Sequence, residues 1–157
     1  MQRKDKEITN QQIIEDILKS GRLCHIAMAY DNEPYLVTVN YGCRDNTIYF
    51  HSAPKGKKID WLRNNPRVCF MIYTNDVMVT GDNPCSDWTM KYKSIIGYGQ
   101  ITILNSPEEK AEGLNILMAQ YTENGPFKFV EKNLEETVVI KIEIEEISAK
   151  GSHSGHD

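Results

Sequence analysis

A chain of 157 residues, 40% hydrophobic and 25% charged, has the length of one ordinary domain and can build a core without disulfide or metal staples. Its net charge of −4 at pH 7 argues against a nucleic-acid partner, because affinity for phosphate backbones needs a net basic face. No apolar run approaches bilayer-spanning length, and the charged start, Met1 to Glu7, lacks the apolar segment of a secretion leader, so a cytoplasmic protein with no membrane partner is expected.

In chain order, Thr9-Asn10-Gln11-Gln12 reads as a capping box, with Thr9 as N-cap and Gln12 reaching back. Ile13, Ile14, Ile17 and Leu18 share one face of the helix that follows, and Gly21 ends it. Leu23 to Ala29 and Pro34 to Tyr41, on either side of the turn Asp31-Asn32-Glu33, look like the strands of a hairpin. A second turn at Arg44-Asp45-Asn46 leads to a strand ending at His51, so three antiparallel strands are expected to follow one another as a meander. A short helix after Gly56 is stopped by Asn64-Asn65-Pro66, and Val68 to Tyr73 resumes as a buried strand. Residues 74 to 87 read as a loop.

From Trp88 the side chains alternate with strand periodicity, and the strand continues through Leu104. Gly97-Tyr98-Gly99 inside it marks a bulge, a bend or a close approach. Ser106-Pro107-Glu108-Glu109 is the strongest helix start, followed by an apolar stripe of Leu114, Leu117, Met118 and Tyr121 that reads as core. After a loop broken by Gly125-Pro126, Thr137 to Glu145 is a final strand. Residues 1–149 are expected to form one domain and residues 150–157 a disordered tail, in which His153 and His156 have no packing to hold a metal. Cys24, Cys43, Cys69 and Cys85 have no zinc or redox spacing and read as free thiols, the first and third in strands and the others in turns. About six antiparallel strands with helices between them describe a mainly β fold with helices (α+β), a β-barrel with helices at its ends.

The stretch that concentrates chemistry is Thr47 to Lys58, where a strand ending in His51 and Ser52 passes through a Pro54/Gly56 turn to lysines at a helix start. Free N–H groups at a helix N-terminus, the helix dipole and lysine charge all favour an anion such as a phosphate. A lysine-rich turn can equally be a solvated surface feature, since no Walker-type spacing is present.

Tyr49-Phe50-His51-Ser52-Ala53, Gly56-x-Lys58, Leu62 and Asn65-Pro66, followed by Trp88 to Gly99, resembles the pyridoxamine 5′-phosphate oxidase-like split barrels, and within them the 5-nitroimidazole resistance (Nim) type flavoproteins. The resemblance implies an antiparallel six-stranded split β-barrel that binds FMN between the subunits of a homodimer. It implies that Lys58 and Ser52 bind the FMN phosphate with help from Lys57, and that Thr38, Val39 and Asn40 line the isoalloxazine ring. Ser94 would close the phosphate site, with Tyr92 and Lys93 nearby. Lys93 stands where arginine is expected, and Thr38 offers no long basic side chain, which argues against the vitamin-making oxidase itself.

The implied activity is reduction of small acceptors such as nitroaromatics at the expense of NAD(P)H, which binds only transiently because no dinucleotide fingerprint is present. His51 is then the candidate proton donor, as imidazole changes charge nearest neutrality. The alternative is a non-catalytic flavin or haem module of the same fold, for which His25 and His51 are the possible axial ligands; His25 otherwise reads as a hydrogen-bonded structural residue. No metal site is expected.

Overall fold

Alternation with a period of two sets the inner face of the sheet: Cys24, Ile26 and Met28, Ile48 and Phe50, and Val68, Phe70 and Ile72 all turn into one buried core. The computed structural model describes residues 4–152. Its elements are β1 (Glu7–Ile8), α1 (Gln11–Ser20), β2 (Cys24–Tyr30), β3 (Glu33–Val39), β4 (Gly42–Arg44), β5 (Thr47–Ser52), α2 (Lys57–Asn64), β6 (Arg67–Val79), α3 (Pro84–Asp87), β7 (Thr89–Leu104), α4 (Pro107–Ala119), α5 (Glu131–Glu136) and β8 (Val138–Gly151). The strands make one 8-stranded antiparallel sheet in the order β3-β2-β6-β7-β8-β5-β4, with β1 added on β8. The mainly β fold with helices expected from sequence is therefore present, with two more strands than six.

The expected meander is not. Asp31-Asn32 and Asp45-Asn46 do form two-residue turns with positive φ, the hairpin geometry that matches strand twist. But β3 pairs only with β2, whereas β5 pairs with β8 and β4, so the chain crosses from one edge of the sheet to the other between Val39 and Gly42. Tyr41 anchors that crossing: it is fully buried, its hydroxyl donates to Leu18 O at 2.7 Å, and its amide donates to the Tyr121 hydroxyl at 3.0 Å. The sheet thus curls round the core and stays unpaired between β3 and β4, the opening of a split barrel.

Other differences are local. Asn10, not Thr9, caps α1, its side chain accepting from the amides of Gln12 and Ile13. Residues 74 to 79 belong to β6, which continues past a register shift between Thr74 and Val77 as a ribbon with β7. A second shift, between Tyr98 and Gly99, is the bulge that the glycines announced. The capping box at Ser106 is present, but α4 buries Gly113, Ile116 and Leu117 rather than the full Leu114–Tyr121 stripe. Cys43 lies in β4 and Cys85 in α3, not in turns. β8 runs to Gly151, and Ser152 Oγ accepts from the Tyr92 amide at 2.9 Å, so the start of the supposed tail is held in the sheet. His153 and His156 lie outside the described residues.

Helix α4 covers one part of the outer sheet face, packing so closely that a Cβ on Gly113 would meet Val139 at 2.9 Å and Tyr49 at 3.2 Å. Among the described residues no element covers the part made by β3, β2, β6 and β7, and Leu36, Met71, Tyr73, Ile96 and Tyr98 stand exposed on this bare part. No helix among the described residues is long and apolar enough to cross a membrane.

Candidate functional site

The β5–α2 connection gathers His51, Ser52, Lys57 and Lys58. The pleat sends Phe50 and Ser52 inward and His51 outward, where it is exposed opposite Val139. Gly56 then opens α2 at φ 119°, a conformation that suits only glycine, and space above it is empty: an added Cβ would touch nothing within 4 Å. Among the described residues no side chain caps α2. The first intrahelical bonds run from the Ile59 and Asp60 amides to Gly56 O, which leaves the Lys57 and Lys58 amides as donors at an open helix start. Lys58 is half-buried there, and loss of solvent pulls its pKa below the ordinary lysine value.

Lys57 is held differently. Its Nζ lies 4.3 Å from the Trp61 ring centroid and 4.9 Å from that of Tyr35, with Glu33 at 3.9 Å. The structure therefore separates two lysines that are adjacent in sequence: Lys58 stands by the open helix start, and Lys57 is engaged with two aromatic faces and a carboxylate. The spacing of four between Lys57 and Trp61 carries that signal, since it places both on one helix face.

The second group lies on the bare outer face. Thr38 and His25 are cross-strand partners, with Thr38 Oγ1 2.9 Å from His25 Nδ1. The imidazole is stacked on Tyr73, ring centroids 5.8 Å apart and planes 10° from parallel. Tyr73 in turn is the partner of Ser94 on β7, and Ser94 of Lys150 on β8, whose Nζ lies 5.8 Å from the Tyr92 ring. Lys93, beside it, is half-buried. Two buried polar atoms have no partner among the described residues, His25 Nε2 and Ser94 Oγ, and both belong to this row. Val39 faces the core opposite Cys24, and Asn40 is exposed at the end of β3. Sequence reasoning left His25 outside the site, although counting outward from the turn at Asp31-Asn32 sets it opposite Thr38.

The two groups do not meet within one chain at Ser94. Ser52 pairs with Val138 at the start of β8, and Ser94 with Lys150 near its end. β8 has 14 residues, about 45 Å of strand at ~3.3 Å each. A separate cavity of about 690 Å³ between β4, α4 and the loop after α4, lined by Cys43, Arg44, Glu112, Asn115 and Gln120 among others, contains none of the predicted site residues. Its Cys43 thiol is pushed up to about 11, chiefly by burial, so it is not a ready nucleophile. No group of metal-ligating side chains occurs among the described residues.

An antiparallel sheet curled into a split barrel, with an uncapped, lysine-flanked helix start beside it, defines a class of small, mainly β barrels. Residues 10–151 match the family described as pyridoxamine 5′-phosphate oxidase, and the chain belongs to that family. Among solved structures it is similar to a protein provisionally assigned to 5-nitroimidazole antibiotic resistance in Bacteroides thetaiotaomicron, at 27% identity over 92% of this chain and 86% of that one, with a TM-score of 0.82. A FAD and haem binding protein from Mycobacterium smegmatis shares the fold at 17% identity and a TM-score of 0.83, covering 96% of this chain and 74% of its own. A curated relative, an uncharacterised protein of Rhizobium meliloti, is 34% identical over 65 residues, 41% of this chain and 42% of that protein's length.

Proposed function

We propose that two copies of this chain hold FMN between them in the cytoplasm and reduce small acceptors, nitroaromatics among them. The observation that carries the reading is the uncapped start of α2, with two free amides and Lys58 beside open space. Lys58, Ser52 and the α2 amides would bind the phosphate, while Thr38 and the backbone of Val39 and Asn40 would line the ring; Lys57 would assist from its aromatic seat. Tyr92, Lys93 and Ser94 would reach this site from the partner subunit, because register puts them at the far end of β8. The unpartnered Ser94 Oγ supports a contact that one chain does not supply. The same pairing would cover the bare apolar face.

Bound flavin would supply the redox chemistry, taking a hydride from NAD(P)H and passing two electrons to the acceptor. His51, exposed beside Ser52, would give a small acceptor its proton. A visible spectrum of the purified protein tests the reading: flavin bands that bleach on adding NADH or NADPH support it, and a protein that takes up no flavin refutes it. A haem module is the second reading, favoured by His25, whose Nδ1 is held while Nε2 is left without a partner, the arrangement of an axial ligand. A Soret band would select it.

A further inference from the structure

The direction of the His25–Thr38 hydrogen bond follows from what surrounds the imidazole. Among the described residues, His25 Nε2 is buried without a partner, and Nδ1 has only Thr38 Oγ1, at 2.9 Å. A neutral imidazole carries one proton. On Nε2 it would make a buried N–H with nothing to accept it, which native proteins almost never tolerate. On Nδ1 it leaves only an unused lone pair at Nε2, the milder deficit. Within a single chain, Nδ1–H therefore donates to Thr38 Oγ1. That bond occupies a lone pair of the hydroxyl from within the sheet, and stacking on Tyr73 keeps the ring in place. The Thr38 hydroxyl has no other protein partner among the described residues, so its proton is turned outward from an exposed position on β3.

We infer that His25 and Thr38 together form a fixed hydrogen-bond donor, which presents the Thr38 O–H to an electron-rich atom of the flavin ring. This rests on the flavin reading above. Hydrogen bonds to charged acceptors are about twice as strong as those to neutral ones, so the donor holds the reduced, more negative ring more tightly than the oxidised ring and raises its potential. His25 acts through Thr38 and is a positioning residue. A second mark of a ligand on this face is independent of the pair: Ser94 is 4% exposed, its Oγ has no partner among the described residues, and it lies across Tyr73 from His25.

The test has two arms. In the flavin-free protein, ¹⁵N NMR of the imidazoles should show His25 protonated at Nδ1 and bare at Nε2; the opposite tautomer overturns the inference. In the FMN-loaded protein, Thr38→Val should lower the preference for reduced over oxidised flavin about tenfold, a fall in midpoint potential of about 30 mV for a two-electron couple. His25→Phe should move the potential the same way by less, because the freed hydroxyl can then turn either way, and Thr38→Ser should restore it. Flavin bound by Thr38→Val at an unchanged potential overturns the donor and leaves the flavin reading intact. A wild-type protein that binds no flavin, or shows a Soret band, overturns the flavin reading and the donor's role with it, whatever the tautomer.

Discussion

Replacing Lys58 by alanine should weaken FMN binding and leave riboflavin binding almost unchanged, whereas Lys57→Ala should weaken FMN binding far less. Lys58 is half-buried at the open start of α2, where a phosphate would gain a charge-assisted bond. Such a bond is worth about 1.5–3 kcal/mol, which is roughly a 10- to 150-fold change in Kd. Lys57 spends its charge on the Trp61 and Tyr35 rings and on Glu33. Two cation–π contacts at an exposed site and one solvent-screened ion pair add up to on the order of 1 kcal/mol, so Lys57→Ala should lower stability by about that much and FMN affinity by only a few-fold.

Fluorescence-quenching titrations with FMN and riboflavin separate the cases, because only FMN carries the phosphate. Equal losses at the two lysines, or a riboflavin loss as large as the FMN loss, would mean that the cluster acts as diffuse charge and would refute the argument. The pH dependence has a definite sign. Burial lowers the pKa of Lys58 from the ordinary 10.5, so its contribution to FMN affinity should fade as pH rises through that lowered value, earlier than for an exposed lysine. Without flavin the sign reverses: between the lowered value and 10.5 the unfolded chain binds more protons than the folded one, so the stability term from Lys58 grows with pH.

The remaining predictions use other parts of the fold. Sedimentation should find a species near twice the 18.0 kDa chain, and Met71→Glu on the bare sheet face should dissociate it; a monomer that still holds flavin would sink the shared-site proposal. Gly42→Ala would place a Cβ 2.3 Å from Ile116 O and 2.6 Å from Leu117 Cα, backbone that cannot swing aside. It should therefore cost about 2–3 kcal/mol and roughly 5–10 °C of Tm, and an unchanged melting curve would show that α4 is not seated on β4 as described. His51→Gln should keep FMN bound and reduce nitroaromatic turnover by about 10²-fold, the scale of a lost general acid. Undiminished turnover would leave His51 without a catalytic part.

What was legible in the sequence was whatever is encoded locally. The Ser106 capping box, the glycine bulge in β7 and the two Asp-Asn turns each need only a few neighbouring residues, and each is present. The neighbouring candidates Thr9 and Asn10 can both cap a helix, and only the backbone at Asn10 decides between them. Residues 74 to 79 read as loop because Val77 and Met78 are both exposed, so the ribbon has no buried side to impose alternation. The crossing at Tyr41 was invisible for a different reason. A short connection between two strand-like runs normally means a hairpin, and what overrides it here is a set of distant partners, Leu18 O and the Tyr121 hydroxyl, that fix Tyr41 in the core.

The candidate site divides along the same line. Lys58, Ser52 and His51 are contiguous in sequence and stand together at one turn. Thr38 and Ser94 share the bare face only because β2 and β6 lie between them, and the distance of Ser94 from Ser52 is set by the length of β8. A motif reading assigns Ser52 and Ser94 to one phosphate because it carries no length scale. The register supplies that scale, and with it a condition: if both serines serve one ligand, the second must belong to another copy of the chain. An Ser94→Ala chain mixed with a Lys58→Ala chain tests that condition. Each variant alone damages both sites of its dimer, whereas the mixed dimer has one site with both defects and one with neither. Mixing should therefore restore tight FMN binding to about half the sites of the heterodimers. No restoration, with heterodimers confirmed by native mass spectrometry, would place each site within a single chain.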